Sequence, residues 1–354
     1  MAAEPKLIPG QPHSGGYHLL ATVLPGLEAV AVDEIAAKLP GTACAATRRG
    51  RLLCASPYAY DDWFGLRSVD NLYALCGVLE IGPHKADLAA FTRAVAALPV
   101  NALLRDLGRT GRGRFFVNAS RAGAQTYSRF EVADAAMDGL ARATGLERGE
   151  AEAHELEFRL DVAGPEALLS LRLTDPSFRF RGNRTFSRAA LRPPVAHALV
   201  WLSRPGPADA FCDPCCGSGS LLAERAAYPY ARLLGGDLSP EAIAAARANA
   251  PGAELRVWDA AALPLDAHSI DVVACNLPWG RQIGALHEMV PLYDRLAAEL
   301  QRILVPSGRA VMLTDLPDLW RRACDRTALA VEVAAEPSLK GLHPKVLAVR
   351  TRPG

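Results

Sequence analysis

Three things are scarce in this sequence, and each scarcity narrows what the chain can be. No stretch reaches the roughly 18 consecutive apolar residues that a membrane-spanning helix needs. Residues 1–16 are rich in Pro and Gly, with no apolar signal-peptide region. A soluble, cytoplasmic chain with no membrane partner is expected. Net charge is nearly absent: 39 Lys+Arg against 38 Asp+Glu leave +1. Bulk charge therefore argues neither for nor against nucleic acid, and any basic surface must come from local clustering. Paired metal-binding cysteines are also missing. Eight cysteines lie at irregular positions (44, 54, 76, 212, 215, 216, 275 and 324), three of them crowded into Cys212-Asp213-Pro214-Cys215-Cys216. A closed zinc site wants four ligands, usually from two knuckles, and no second Cys or His pair at metal spacing follows. No metal is expected, and the cysteines read as small buried thiols in a reducing compartment.

What is present is globular material. At 354 residues and 37.7 kDa, with 50% hydrophobic and 22% charged residues, the chain can fill two or three cores. It carries no internal repeat, and a monomer is expected. Residues 17–23 read as a strand and 26–39 as a helix, with Leu27, Val30, Ile35 and Leu39 near helical spacing before Pro40-Gly41. A strand at 51–55 and the stretch 62–79 complete a small α+β unit over residues 1–80. Helices over 86–98 and 128–144, the second closed by Gly145, and strands over 115–119, 155–162 and 167–174 predict another α+β unit over 81–175. Residues 176–192 have little periodicity and hold Arg179, Arg181, Arg184, Arg188 and Arg192, as a basic linker would.

Beyond that linker the pattern changes. Strands at 210–213, 233–237, 254–258, 270–276 and 309–314 alternate with helices, clearest at 221–227, 240–250 and 293–304. This predicts an α/β, Rossmann-like domain over 193–354, its parallel sheet closed by an antiparallel terminal hairpin at 328–334 and 346–350. Ser239 caps one helix and Pro240 opens it.

The chemistry concentrates at the carboxyl ends of those strands. Asp213-Pro214-Cys215-Cys216-Gly217-Ser218-Gly219-Ser220 stands where a strand gives way to a helix. Glycines there let backbone approach a ligand, and a helix N-terminus offers unpaired amides. The run has neither the third glycine of the dinucleotide fingerprint nor the Gly-Lys-Ser/Thr of the phosphate loop. Gly236-Asp237-Leu238-Ser239 supplies an acid at the next strand end, about 20 residues downstream, where a carboxylate accepts both ribose hydroxyls. Asp259, after Trp258, can accept from an adenine amino group. The fourth strand ends in Asn276-Leu277-Pro278-Trp279-Gly280. An amino group on a base or amide is a poor nucleophile because its lone pair is delocalised, so two acceptors must hold its hydrogens and aim that pair. The Asn276 side-chain oxygen and the Leu277 carbonyl suit that task. Pro278 fixes the turn, and the Trp279 indole offers a face for a base to stack on.

In this order the four elements resemble the class I S-adenosylmethionine-dependent methyltransferases acting on amino nitrogens, whose last motif is usually Asn/Asp-Pro-Pro-Tyr/Phe. Leucine at 277 and tryptophan at 279 depart from it, and leucine leaves the turn less constrained. The resemblance implies S-adenosylmethionine bound by Asp213, Cys215, Gly217, Ser218, Gly219, Ser220, Asp237, Leu238, Asp259 and Asn276, and a catalytic set of Asn276, Leu277, Pro278 and Trp279. Further upstream, residues 113–123, the helix starting Phe130-Glu131-Val132-Ala133 and the strand ending Leu171-Arg172-Leu173-Thr174 look like a THUMP domain, an RNA-binding module preceded by a ferredoxin-like unit. Phe180-Arg181-Gly182-Asn183-Arg184 and Ala190-Leu191-Arg192-Pro193-Pro194 resemble the segments joining THUMP and catalytic domains. The arrangement is similar to THUMP-containing tRNA guanine-N2-methyltransferases of the acceptor stem, whose THUMP domain grips the tRNA 3′ end. Arg109, Arg112, Arg114, Arg121, Arg181 and Arg184 are the candidate RNA contacts. The residues alone leave open an amino-methyltransferase for rRNA guanine, adenine N6 or protein glutamine, and an RNA-binding protein whose catalytic domain has decayed.

Overall fold

The β-rich segments before residue 175 alternate buried and exposed side chains, as Arg114–Ala122 and Leu156–Ala163 do. In the computed structural model, which describes residues 17–109, 113–181, 184, 190–280, 286–339 and 341–352, they join one mixed sheet. Its strands are β1 (Tyr17–Thr22), β2 (Ala43–Arg48), β3 (Arg51–Ser56), β4 (Asn71–Glu80), β5 (Arg114–Ala122), β6 (Glu147–Arg148), β7 (Leu156–Ala163) and β8 (Glu166–Arg172), in the order β2-β3-β1-β4-β8-β7-β5-β6. The helices are α1 (Glu28–Lys38), α2 (Leu88–Ala96), α3 (Val100–Asp106) and α4 (Arg129–Thr144). Helix α4 is bounded as its sequence dictates: Ser128 and Glu131 form a capping box, and Gly145, at φ 73°, ends it.

The division expected at residue 80 falls inside this sheet. β4 pairs with β8 from Tyr73↔Arg172 to Glu80↔Glu166, so backbone ladders stitch the two α+β units together. What the division separates is cores. α1 covers Leu19, Ala21, Leu52 and Ala74, while α2 and α4 cover Phe115, Val117, Phe158 and Leu169. On the opposite face Arg51 and Arg159 pair with Asp161, and Arg172 pairs with Glu157. Strand β2 and helix α3 were not expected. Cys44 and Cys54, opposite each other in the β2–β3 ladder, are joined by a disulfide, a departure from the expectation of eight thiols.

The second sheet contains β9 (Ala210–Asp213), β10 (Arg232–Asp237), β11 (Glu254–Val257), β12 (Ile270–Asn276), β13 (Leu304–Thr314), β14 (Leu329–Ala335) and β15 (Lys345–Thr351), in the order β11-β10-β9-β12-β13-β15-β14. The first five are parallel, and β15 runs antiparallel between β13 and β14. α5 (Pro193–Leu202), α6 (Ser220–Arg225) and α7 (Pro240–Asn249) cover one face; α8 (Leu286–Ile303) and α9 (Pro317–Asp325) cover the other. Strand order reverses direction between β9 and β12, and in open α/β sheets the crevice at such a reversal, beyond the carboxyl ends, is where ligands bind.

The two sheets are packed together. Leu24, Leu27 and Val30 enter the same core as Val195, Leu199 and Val346. The Ser338 N–H donates to the Pro25 carbonyl at 2.8 Å, and a Cβ on Gly26 would lie 2.0 Å from the Glu336 oxygen. Among the described residues no single helix is long and apolar enough to cross a membrane.

Candidate active site

From Asp213 the chain turns sharply into α6, and Gly217 and Gly219 stand at φ 51° and 79°, in the left-handed region that favours glycine. The turn is tied to β10: Cys216 N–H donates to the Gly236 carbonyl at 2.9 Å, and Gly217 N–H to Asp237 Oδ2 at 2.9 Å. Cys215 and Gly217 are half-buried, whereas Ser218, Gly219 and Ser220 are buried. Asp213 lies beneath the turn with its Oδ1 accepting from Cys215 N–H at 3.3 Å. Burial, with the nearby Asp237 charge acting in the same direction, pushes its carboxyl up to about 8, so at neutral pH it is largely protonated. Cys212 and Cys215 face one core of the sheet and Cys216 the other, so the three thiols do not converge.

Asp237 at the end of β10 is half-buried, and its second oxygen accepts from Ser239 N–H at 3.0 Å. Next to it Leu238 is 71% exposed, an apolar surface presented to solvent. Asp259 is exposed, with Oδ1 accepting from Ala261 N–H at 2.8 Å. Beneath both strand ends lies Trp258. A Cβ on Gly236 would meet its ring at 2.1 Å, and its Nε1–H donates to the Pro214 carbonyl at 3.0 Å. The indole thus joins the ends of β9, β10 and β11 into one floor, a role the sequence did not disclose. These residues fit S-adenosylmethionine: a half-buried carboxylate at Asp237 for the ribose diol, an exposed apolar side chain at Leu238 for adenine, an exposed acceptor at Asp259, and a glycine turn whose backbone a ligand can approach.

The second motif stands alongside, because β12 pairs directly with β9. Asn276 is half-buried at the carboxyl end of β12. Leu277 does not loosen the turn as expected. Its side chain is 1% exposed, packed in the core with Met289 and Tyr293, and its N–H, which proline would lack, donates to the Leu313 carbonyl at 3.0 Å. The Tyr293 hydroxyl donates to the Pro278 carbonyl at 2.9 Å and lies 2.8 Å from Thr314 Oγ1, which accepts from Leu316 N–H. Tyr293 and Thr314 therefore brace the turn from α8 and β13; neither was anticipated. Trp279 is half-buried against the core beneath α5 and α6, and its Nε1 has no hydrogen-bond partner among the described residues.

The candidate RNA contacts divide. The Arg109 guanidinium donates to the carbonyls of Arg172 (2.8 Å) and Leu173 (3.2 Å), fastening its own loop to β8. Arg181 donates to the carbonyls of Phe178 (3.1 Å) and Arg67 (2.7 Å), and Arg184 to Glu224 at 2.7 Å. Intramolecular acceptors hold these three, and Arg121 likewise donates to the Gly123 carbonyl at 3.3 Å and to Gln125 Oε1 at 3.1 Å. Arg112 and Arg188 lie outside the described residues. Arg114 and Arg121 are exposed. Arg121 borders a hollow of about 510 Å³ with Ser120, Ser128, Arg129 and Phe130. Phe130 is 67% exposed, with the Arg129 guanidinium 4.7 Å from its ring centre. A flat ring bordered by cations suits an unpaired nucleotide, and in the sequence Phe130 is marked only as a member of a helix.

A parallel sheet with a reversal crevice, a glycine turn, acids at successive strand ends and an Asn-x-Pro-Trp turn define a Rossmann-like S-adenosylmethionine-dependent methyltransferase. Comparison with known proteins agrees. Residues 181–344 match the RMKL-like methyltransferase domain model. The tRNA (guanine(6)-N2)-methyltransferase of Thermus thermophilus is 30% identical over 337 residues, covering 93% of this chain and 98% of that protein. The chain belongs to the family of that Thermus methyltransferase. The crystal structure of TrmN from Thermus thermophilus is similar throughout, with a TM-score of 0.81 and 28% identity over 94% of this chain and 99% of that one. A putative methyltransferase, SMU.472, complexed with SAH shares the fold at a TM-score of 0.75 and 18% identity, over 97% of this chain and all of that one.

Proposed function

We propose that this enzyme methylates the exocyclic N2 of a guanosine in the acceptor stem of tRNA, acting as a cytoplasmic monomer whose first sheet grips the tRNA 3′ end. The observation that carries the reading is the braced turn at Asn276 to Trp279, set beside the glycine turn at the sheet's reversal point. S-adenosylmethionine supplies a methyl group on a sulfonium. The chain's part is geometric: the Asn276 side-chain oxygen and the Leu277 carbonyl accept from the guanine amino group, hold its hydrogens and direct its lone pair. As the nitrogen gains positive charge those acceptors bind it more strongly, which lowers the barrier without a covalent enzyme intermediate. The guanine must leave its helix, at a cost of a few kcal/mol that stacking on Trp279 offsets. Arg114, Arg121, Arg129 and Phe130 hold the RNA at a distance from this pocket.

The test is mass spectrometry of nucleosides from undermodified tRNA incubated with the protein and labelled S-adenosylmethionine. Label in N2-methylguanosine is expected, with Asn276→Ala abolishing turnover while tRNA binding persists. Label confined to another nucleoside, or normal turnover by Asn276→Ala, refutes the reading.

A further inference from the structure

Between the two sheets lies a buried ionic cluster that methyl transfer does not use. Its centre is Glu224 on α6, the helix that opens directly after the glycine turn, and its side chain has no solvent exposure. One carboxylate oxygen accepts from Arg184 at 2.7 Å, and the other from Arg67 Nε and Nη2, both at 2.8 Å. Arg67 belongs to the loop entering β4 of the first sheet, and that loop is itself immobilised. The N–H groups of Arg67 and Ser68 donate to the two oxygens of Glu34 on α1 at 2.9 and 2.7 Å, and the Arg67 carbonyl accepts from Arg181 at 2.7 Å. His197 of α5 completes the junction. Its ring lies 3.0 Å from the Ser68 hydroxyl and 2.6 Å from the Tyr228 hydroxyl, and burial pushes its pKa down to about 3, leaving a neutral imidazole between two hydroxyls.

Apolar packing also joins the sheets, through Leu24, Leu27 and Val30. A buried ion pair adds little net stability over an apolar pair of the same volume, but it tolerates few geometries, and a guanidinium fork fixes direction as well as distance. Two guanidinium groups converge here on one carboxylate, Arg67 of the first sheet through two nitrogens and Arg184 of the joining segment through one.

We infer that Glu224, held by Arg67 and Arg184, is a positioning residue that sets the angle between the RNA-binding sheet and the methyl-transfer pocket, and so determines which nucleotide of a docked tRNA reaches Asn276. The inference rests on the tRNA reading above. It is tested with Glu224→Gln and, should that variant fold poorly, Arg184→Lys. For each, calorimetry gives the S-adenosylmethionine affinity, and nuclease fragmentation with mass spectrometry maps label along full-length tRNA. Cofactor affinity within about threefold of wild type is expected, with tRNA kcat/KM lowered by about tenfold or more and label spreading to neighbouring guanosines. Label confined to the wild-type nucleotide in both variants overturns the inference. A loss of turnover that follows a matching loss of cofactor affinity also overturns it, because Glu224 then supports only the glycine turn. No label on tRNA with the wild-type chain defeats the tRNA reading itself.

Discussion

Changing Leu277 to proline would bring the second motif to the form usual among amino methyltransferases, yet this protein should be weakened by it. The substitution removes the Leu277 N–H that donates to the Leu313 carbonyl at 3.0 Å. Leu313 is fully buried, and leaving its carbonyl without that partner costs about 1–3 kcal/mol. Shrinking a buried leucine side chain to a pyrrolidine ring adds about 1–2 kcal/mol of lost packing. Proline returns about 0.4–1 kcal/mol by stiffening the unfolded chain. The net loss is about 1–5 kcal/mol. An unfolding entropy of about 2.1 cal/mol/K per residue, applied to the 354-residue chain, converts this to a fall in Tm of about 1–6 °C. Differential scanning calorimetry measures it, and Leu277→Ala is the companion: it keeps the N–H and loses about 2–5 kcal/mol through the side chain alone. A proline variant as stable as wild type would refute both the hydrogen bond and the reading of Leu277 as a core residue.

Two further outcomes are expected. Burial holds Asp213 at about 8 in the folded protein against an ordinary 3.8. Because the folded value lies above the unfolded one, its contribution is complete below about pH 4 and is lost at roughly 1.4 kcal/mol per unit up to about pH 8. Asp213→Asn abolishes that titration, so urea unfolding between pH 5 and 8 should show the variant gaining on wild type as pH rises; parallel curves would exclude a buried neutral carboxyl. Phe130→Ala should weaken tRNA binding about tenfold in a filter-binding assay, from the loss of about 1–3 kcal/mol of base stacking, with cofactor affinity unchanged. Equal tRNA affinity would remove the hollow from the RNA path.

The candidate site of the second sheet was legible because Asp213, Asp237 and Asn276 end strands and Asp259 follows one closely, so they could be placed by counting strands, although β11 (Glu-Leu-Arg-Val) is short and largely exposed. β2 was not, because Ala43-Cys44-Ala45-Ala46 carries few β-formers; its conformation comes from pairing with β3. Charge was visible and its partners were not. Arg109, Arg181 and Arg184 meet acceptors 63, 114 and 40 residues away in sequence, and a solvent-facing arginine cannot be told from one turned inward by composition. The bracing of the turn was hidden for the same reason: Tyr293 meets Pro278 from 15 residues away and Thr314 from 21. Leu277 looked like a loosened turn because the Leu313 carbonyl that anchors it belongs to the next strand of the sheet.

The contact between the Pro25-Gly26 turn and the 336–338 loop also constrains the order in which the molecule is made. Synthesis runs at about 5–20 residues per second, so roughly 15–60 s separate the emergence of that turn from that of the loop it binds. Through that interval the first sheet has only its two internal cores to pack. Leu24, Leu27 and Val30 share a core that begins with Val195 and Leu199 and is finished only when Val346 arrives, so the nascent chain carries that apolar surface incompletely covered through the interval.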